Sequence, residues 1–197
     1  MYNSEIHNRH SIRLKEFDYS QNGYYFVTIC TKNRECFFGD VARGKIELSE
    51  IGKIVKKYWM EISQHFENVE LDEYIVMPNH IHGIVIINDN YQNMNVGATL
   101  AVAQRHRNRS SRAGARPAPT IGDIVGSFKS ICVVKWLQHM KENKLNGLGK
   151  FWQRNYYEHI IRNEIELNAI REYILNNPLQ WEIDNENPKH YTTAICN

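Results

Sequence analysis

The stretch from Tyr74 to Ile87, YIVMPNHIHGIVII, leaves this chain few ways to fold. Its β-branched and apolar residues favour extended backbone. Pro78-Asn79 is a turn dipeptide that divides the run in two. Glu73 to Met77 and His80 to Ile87 are therefore expected as the strands of a hairpin. Side chains alternate across a strand, so His80, His82, Ile84 and Ile86 share one face. Ile81, Val85 and Ile87 share the other, with Gly83 between. Two imidazoles side by side on a hydrophobic strand are costly to bury without partners. Carboxylates that accept their hydrogen bonds are one solution, and a shared metal ion is another.

The remaining pattern surrounds this hairpin with few elements. Tyr24 to Thr31 follows the turn signal Gln21-Asn22-Gly23 and is apolar on both faces, which suits a central strand. Ser49 is placed to cap a helix running to about Phe66, with Ile51, Ile54, Val55, Tyr58, Ile62 and Phe66 at helical spacing. Thr120 opens a second helix with Asp123 in the capping-box position. Its stripe is Ile121, Ile124, Val125, Phe128, Cys132, Trp136 and Met140. Lys141 to Lys150 reads as a loop. Phe151 to Arg162 is dense in aromatic and polar groups. A third helix is expected from Asn163 or Glu164 to Asn177, because Pro178 disfavours helical geometry in the residue before it. The order β-α-ββ-α with a helical tail predicts an α+β sandwich, an antiparallel sheet with helices on one face.

At 197 residues the chain fits one domain spanning 1–197. Residues 88–119 show no period and are rich in small residues, Arg and Pro. They read as a flexible basic insertion. Within them Arg105, Arg107, Arg109, Arg112 and Arg116 stand with no acid among them, either as a solvated stretch or as phosphate contacts. The formal net charge of +2 says little about partners. No run reaches the roughly 18 apolar residues of a membrane span, and the polar start lacks a secretory h-region. Cys30, Cys36, Cys132 and Cys196 show no CxxC spacing, as expected of reduced thiols in a cytosol.

Two histidines rarely complete a metal site. Tyr173 and Asn177 lie four residues apart on the third helix, hence on one face. Asn177 offers a carbonyl oxygen suited to Mg²⁺ or Mn²⁺, and Tyr173 would stand one turn away. A free phenol has a pKa of about 10, so only roughly one in a thousand is ionised at neutral pH. A nearby cation would favour the phenolate, and a tyrosine nucleophile would form a covalent enzyme–phosphate bond. Periodicity alone favours Tyr173 as a packed aromatic beside Ile170 and Ile174. Tyr156 and Tyr157 compete with it as nucleophiles. Trp152, Tyr156 and Tyr157 suit either a core or a base-stacking platform. Lys129, Lys135 and Arg154, with Arg105, Arg107 and Arg109, are the candidate phosphate contacts.

Met77-Pro78-Asn79-His80-Ile81-His82 resembles the HUH motif of single-tyrosine transposases. Trp152-Gln153-Arg154-Asn155-Tyr156-Tyr157-Glu158-His159, followed by Tyr173-Ile174-Leu175-Asn176-Asn177-Pro178, is similar to the REP-associated tyrosine transposases. The resemblance runs from about Tyr24 to Trp181. It implies a ferredoxin-like (RRM-like) fold with the histidines on a central strand and a C-terminal helix carrying the tyrosine. The implied activity is a DNA endonuclease and transposase. Such an enzyme nicks and rejoins single-stranded DNA at hairpin elements through a 5′-phosphotyrosine intermediate, in DNA transposition or recombination. Carried over by position, Tyr173 is the catalytic nucleophile and His80, His82 and Asn177 bind Mg²⁺ or Mn²⁺. Asn177 stands where related insertion-sequence enzymes often have glutamine, which reaches further. The implied setting is a bacterial cytoplasm at the nucleoid, as a homodimer or monomer.

Two other classes compete. A non-catalytic single-stranded nucleic-acid-binding module of RRM-like fold would stack bases on its sheet and have no use for His80 and His82. A water-using metal hydrolase would tolerate loss of Tyr173, but the chain lacks the further carboxylate and histidine ligands of a two-metal site.

Overall fold

A computed structural model describes residues 18–88, 119–147, 149–184 and 187–188. All of the basic insertion but its ends lies outside them. Strand β1 (Gly23–Cys30) occupies the centre of a four-stranded sheet, as its two apolar faces require. It pairs antiparallel with β5 (His80–Ile87) on one side and β6 (Tyr157–Ile161) on the other. β4 (Val69–Val76) closes the far side of β5, giving the order β4-β5-β1-β6. Between β1 and β4 come a small hairpin, β2 (Gly39–Ala42) and β3 (Lys45–Leu48), and helices α1 (Glu50–Met60) and α2 (Ile62–His65). α3 (Ile121–Glu142) connects β5 to β6, and α4 (Glu164–Gln180) follows β6.

One face of the sheet forms the main core. Tyr25, Val27 and Ile29 of β1 and Ile81, Val85 and Ile87 of β5 cluster with Val55 and Trp59 of α1 and Ile121, Ile124, Val125, Phe128 and Cys132 of α3. Gly83 lies directly under the Trp59 ring. A Cβ there would sit 2.2 Å from Trp59 Cζ2, so only glycine lets the helix approach this closely.

The two amphipathic helices, α1 and α3, share one face as expected, and the tail helix α4, whose placement the sequence left open, takes the other. Ile84 and Ile161 of the opposite face cluster with Leu167 and Ile174 of α4. A sheet that is apolar on both sides must be covered on both, and α4 is the element that covers the histidine side.

Local signals placed most helix starts. Ser49 Oγ accepts the Gly52 N–H at 3.1 Å. Thr120 and Asp123 form the full capping box. The first helix stops at Met60 and resumes as the single turn of α2, where one helix to Phe66 was expected. β4 begins at Val69 rather than Glu73, with a register shift between Leu71 and Tyr74. β2 and β3 carry too few residues to show a period. Their turn, Arg43-Gly44, has φ of 53° and 71°, as a tight hairpin turn requires. α4 continues past Pro178 to Gln180. The proline's local penalty is outweighed because Asn177 and Trp181, on either side of it, are both buried. No helix among the described residues is long and apolar enough to cross a membrane.

Candidate active site

β-strand alternation turns His80 and His82 toward α4, opposite Cys30 and Thr28 of β1. Their rings stand 4.3 Å apart, centroid to centroid, at 63°. His80 is fully buried and His82 is 3 % exposed. Burial disfavours the imidazolium. It holds His80 well below its ordinary pKa, helped by His82 and the Arg34 cation. It pushes His82 down to about 3. Both rings are therefore neutral at pH 7, the state in which imidazole binds a metal.

The neighbours also choose the tautomer of His80. Asn79 Nδ2 donates to the Arg34 carbonyl at 3.0 Å, which turns Asn79 Oδ1 toward His80 Nδ1 at 2.8 Å. An amide oxygen only accepts, so Nδ1 carries the hydrogen and Nε2 keeps a lone pair. That Nε2 is buried and makes no hydrogen bond. His82 Nδ1 lies 2.8 Å from Thr28 Oγ1. His82 Nε2 lies 3.2 Å from the phenol oxygen of Tyr173.

Tyr173 reaches this point because α4 is fastened at its start and near its middle. Asn163 Oδ1 caps the helix by accepting the Glu166 N–H at 2.9 Å. Glu166 Oε1 pairs with His159 Nε2 of β6 at 2.7 Å. Two residues before Tyr173, Arg171 forms a two-pronged ion pair with Asp72 of β4, its Nε donating to Oδ1 at 2.9 Å and its Nη2 to Oδ2. The Tyr173 ring is 42 % exposed. Partial burial raises its pKa, and the Asp184 carboxylate raises it further, while a hydrogen bond from the Asn177 amide opposes both. Asn177 is buried, and its Oδ1 has no hydrogen-bond partner.

His80, His82, Tyr173 and Asn177, distant in sequence, thus share one place. Among the described residues no three His, Cys, Asp or Glu side chains gather around a common point. The site offers instead two neutral imidazole nitrogens and an amide oxygen, and two of these three atoms are buried without a partner. Unsatisfied buried lone pairs cost about 1–3 kcal/mol each. A divalent cation accepting such N and O donors fits them.

The remaining candidates scatter. Lys129 donates its ammonium to the carbonyl oxygens of Gln153 and Arg154, tying α3 to the segment before β6. Lys135 is half-buried on α3, and Arg154 is exposed. Trp152 packs against Phe38, Phe128 and Phe151 on the helix side of the sheet, and Tyr156 joins the same cluster. Arg105, Arg107 and Arg109 lie outside the described residues.

Over 184 residues the chain is 42 % identical to a protein of Haemophilus influenzae described only as uncharacterized, covering 93 % of this chain and 95 % of that one. The chain belongs to that protein's family. No protein-family model matches it. Among solved structures, a REP-associated tyrosine transposase bound to a REP hairpin is 18 % identical, with a TM-score of 0.48, over 86 % of this chain and 74 % of that one. A candidate transposase from Deinococcus radiodurans is 18 % identical, with a TM-score of 0.42, over 84 % and 97 %. At such distance neither likeness carries an argument about this chain's activity.

The structure adds residues that the sequence pattern passed over. Thr28 and Asn79 orient the two imidazoles, and Asp184 acts on the phenol. A polar Thr28 between Phe26 and Cys30 was the available signal for the first. Asn79 was legible only as a turn residue, and nothing local marked Asp184.

Proposed function

We propose that this protein is a metal-dependent nickase and strand transferase of single-stranded DNA, acting at hairpin elements through a 5′-phosphotyrosine intermediate. One observation carries the reading: the Tyr173 phenol lies 3.2 Å from His82 Nε2, beside a second buried imidazole whose Nε2 has no hydrogen-bond partner. The motif resemblance supplies the substrate class. A ferredoxin-like fold is supported by the β-α-β-β-α-β order and the strand sequence β4-β5-β1-β6.

In this reading Tyr173 Oη attacks the scissile phosphorus. A Tyr–O–P bond forms, and the bond from phosphorus to the 3′ oxygen breaks. The 3′ oxygen leaves as a hydroxyl after taking a proton, and the phenol's proton passes to water on the ring's exposed side. The phosphotyrosine ester keeps the bond energy, so a 3′ hydroxyl attacking it reseals the strand. Without a cation His82 Nε2 holds the phenol at 3.2 Å. That contact gives way when the same lone pair goes to a metal, and in neither state does His82 store the phenol's proton, because burial holds that imidazole at about 3. His80 and His82 through Nε2, and Asn177 through Oδ1, would hold Mg²⁺ or Mn²⁺. When bound, the cation neutralises charge developing on the phosphate and favours the phenolate. Asn79 and Thr28 keep the rings aimed. The setting that suits this activity is the cytoplasm, at the nucleoid, as a monomer or homodimer.

An RRM-like binder reads bases on the open face of its sheet. Here α4 lies across part of that face and packs on Ile84 and Ile161, and such a binder gives no use to the buried imidazole pair.

The test is a denaturing gel of protein incubated with labelled hairpin-bearing single strands and Mg²⁺ or Mn²⁺. A covalent adduct is expected. Tyr173→Phe abolishes it while DNA binding persists, and His80→Ala or His82→Ala removes the metal dependence together with the adduct. An adduct that survives in Tyr173→Phe overturns the assignment.

A further inference from the structure

We infer that Tyr157, backed by Phe26, is a stacking platform for one unpaired nucleobase of the substrate strand beside the site. This rests on the DNA-processing reading above and adds to it a specific ligand contact.

The observation is an aromatic chain that leads out of the site. Phe26 stacks on His82, 5.4 Å between centroids at 26°. It meets Tyr173 at 6.2 Å and 81°, and Tyr157 at 6.4 Å and 69°. Tyr157 stands directly across from Thr28, the residue bonded to His82. The platform is therefore next to the imidazole pair and the phenol.

Tyr157 is also the residue of β6 that α4 leaves uncovered. Of the three β6 side chains on the histidine face, His159 is bound by Glu166 and Ile161 is packed under Leu167 and Ile174. Tyr157 is 47 % exposed. An aromatic ring kept open beside a phosphate-processing site presents a π-face to a base, and such stacking does not depend on base identity. Charge complements it. The stretch 149–157 carries Lys150 and Arg154 and no acid. Lys32, exposed, is held alongside by its backbone bond to the Phe151 carbonyl at 2.7 Å. The segment leading into Tyr157 thus carries cations suited to the phosphates of a bound strand.

The experiment measures equilibrium binding of fluorescent single strands to the full chain carrying Tyr173→Phe, so that no chemistry intervenes. Tyr157→Ala in that background should weaken binding roughly tenfold, while Tyr157→Phe and Tyr157→Trp hold the parent affinity. A scan of single abasic sites should find one position whose removal costs the parent the same factor and costs Tyr157→Ala nothing more. Thermal melting of each variant verifies folding, and Tyr157→Phe separates ring from hydroxyl. Binding by Tyr157→Ala within about twofold of the parent, or an abasic loss that adds fully to it at every position, overturns the platform. The two readings fail separately. An adduct without a Tyr157 effect keeps the nuclease and removes the platform. A Tyr157 effect without any adduct keeps the platform and removes the nuclease.

Discussion

The two faces of the central sheet are built by opposite rules. The face under α1 and α3 is apolar and closely fitted, with Trp59 resting on a glycine that admits no methyl group. The face under α4 mixes Ile84 and Ile161 with two buried histidines, a buried threonine and a buried asparagine. The first face provides stability. The second holds lone pairs out of water with no hydrogen-bond partner for His80 Nε2 and Asn177 Oδ1. Buried polar groups left unsatisfied cost stability. The Trp59 Nε1–H on the apolar face is another, but it is a donor, whereas these two on the histidine face are acceptors. On the proposed function, stability and chemistry are divided across the thickness of one sheet.

Four measurements would break or sharpen this division. The largest effect belongs to the apolar face: Trp59→Ala should cost about 3–5 kcal/mol in chemical denaturation, and Gly83→Ala about 1–3 kcal/mol from overpacking against the same ring. Losses well under 1 kcal/mol would mean that the face is not the stabilising one.

Next comes acid sensitivity of the metal-free protein. A depressed imidazole pKa means that the unfolded chain binds protons that the native state refuses, so stability falls as pH drops below about 6.5. With His82 at about 3, its share of the loss between pH 6.5 and 5 is about 2 kcal/mol. His80 acts in the same direction. The double variant His80→Leu/His82→Leu should flatten the profile over that range, and an unchanged slope would count against buried neutral rings.

A smaller effect follows at the fastening of α4. Asp72 is held below its ordinary pKa chiefly by its hydrogen bonds with Arg171. Its contribution is complete above the usual carboxylate value of about 3.9 and is lost as pH falls through the lowered one. The Arg171 side chain is 37 % exposed, so solvent and salt screen the pair and the stability loss in Asp72→Asn is modest. The rate of adduct formation should fall more than DNA affinity does, because the pair sits two residues from the phenol. Equal losses in both would show that it does not position Tyr173.

The smallest stability change is expected at Asn177→Leu. Removing an unsatisfied oxygen offsets the lost hydrogen bond to Tyr173, leaving the net within about 1 kcal/mol, while Mg²⁺- or Mn²⁺-dependent adduct formation is lost. A large destabilisation would place Asn177 among the structural residues.

Much of this arrangement was legible in the residues. The alternation of His80-Ile81-His82 decides which rings share a face, because backbone pleating allows no other outcome once the segment is a strand. Helix starts at Ser49 and Thr120 were legible because a cap is a local hydrogen bond. The hairpin β2–β3 and the strand β6 were not, since four or five residues carry too little period. The end of α4 was misplaced because the local cost of Pro178 is visible in sequence while the burial of Asn177 and Trp181 is not.

Sequence alone decided the identity of the paired imidazoles, their common side of the strand and the i, i+4 spacing of Tyr173 and Asn177, all consequences of short-range backbone geometry. Only the tertiary structure decided that α4 crosses the histidine face, bringing a phenol against a ring 91 positions away. It also decided that Asn79 and Thr28 orient those rings. Such contacts depend on which apolar surfaces must be covered and by what, a property of the whole packed chain rather than of any segment within it.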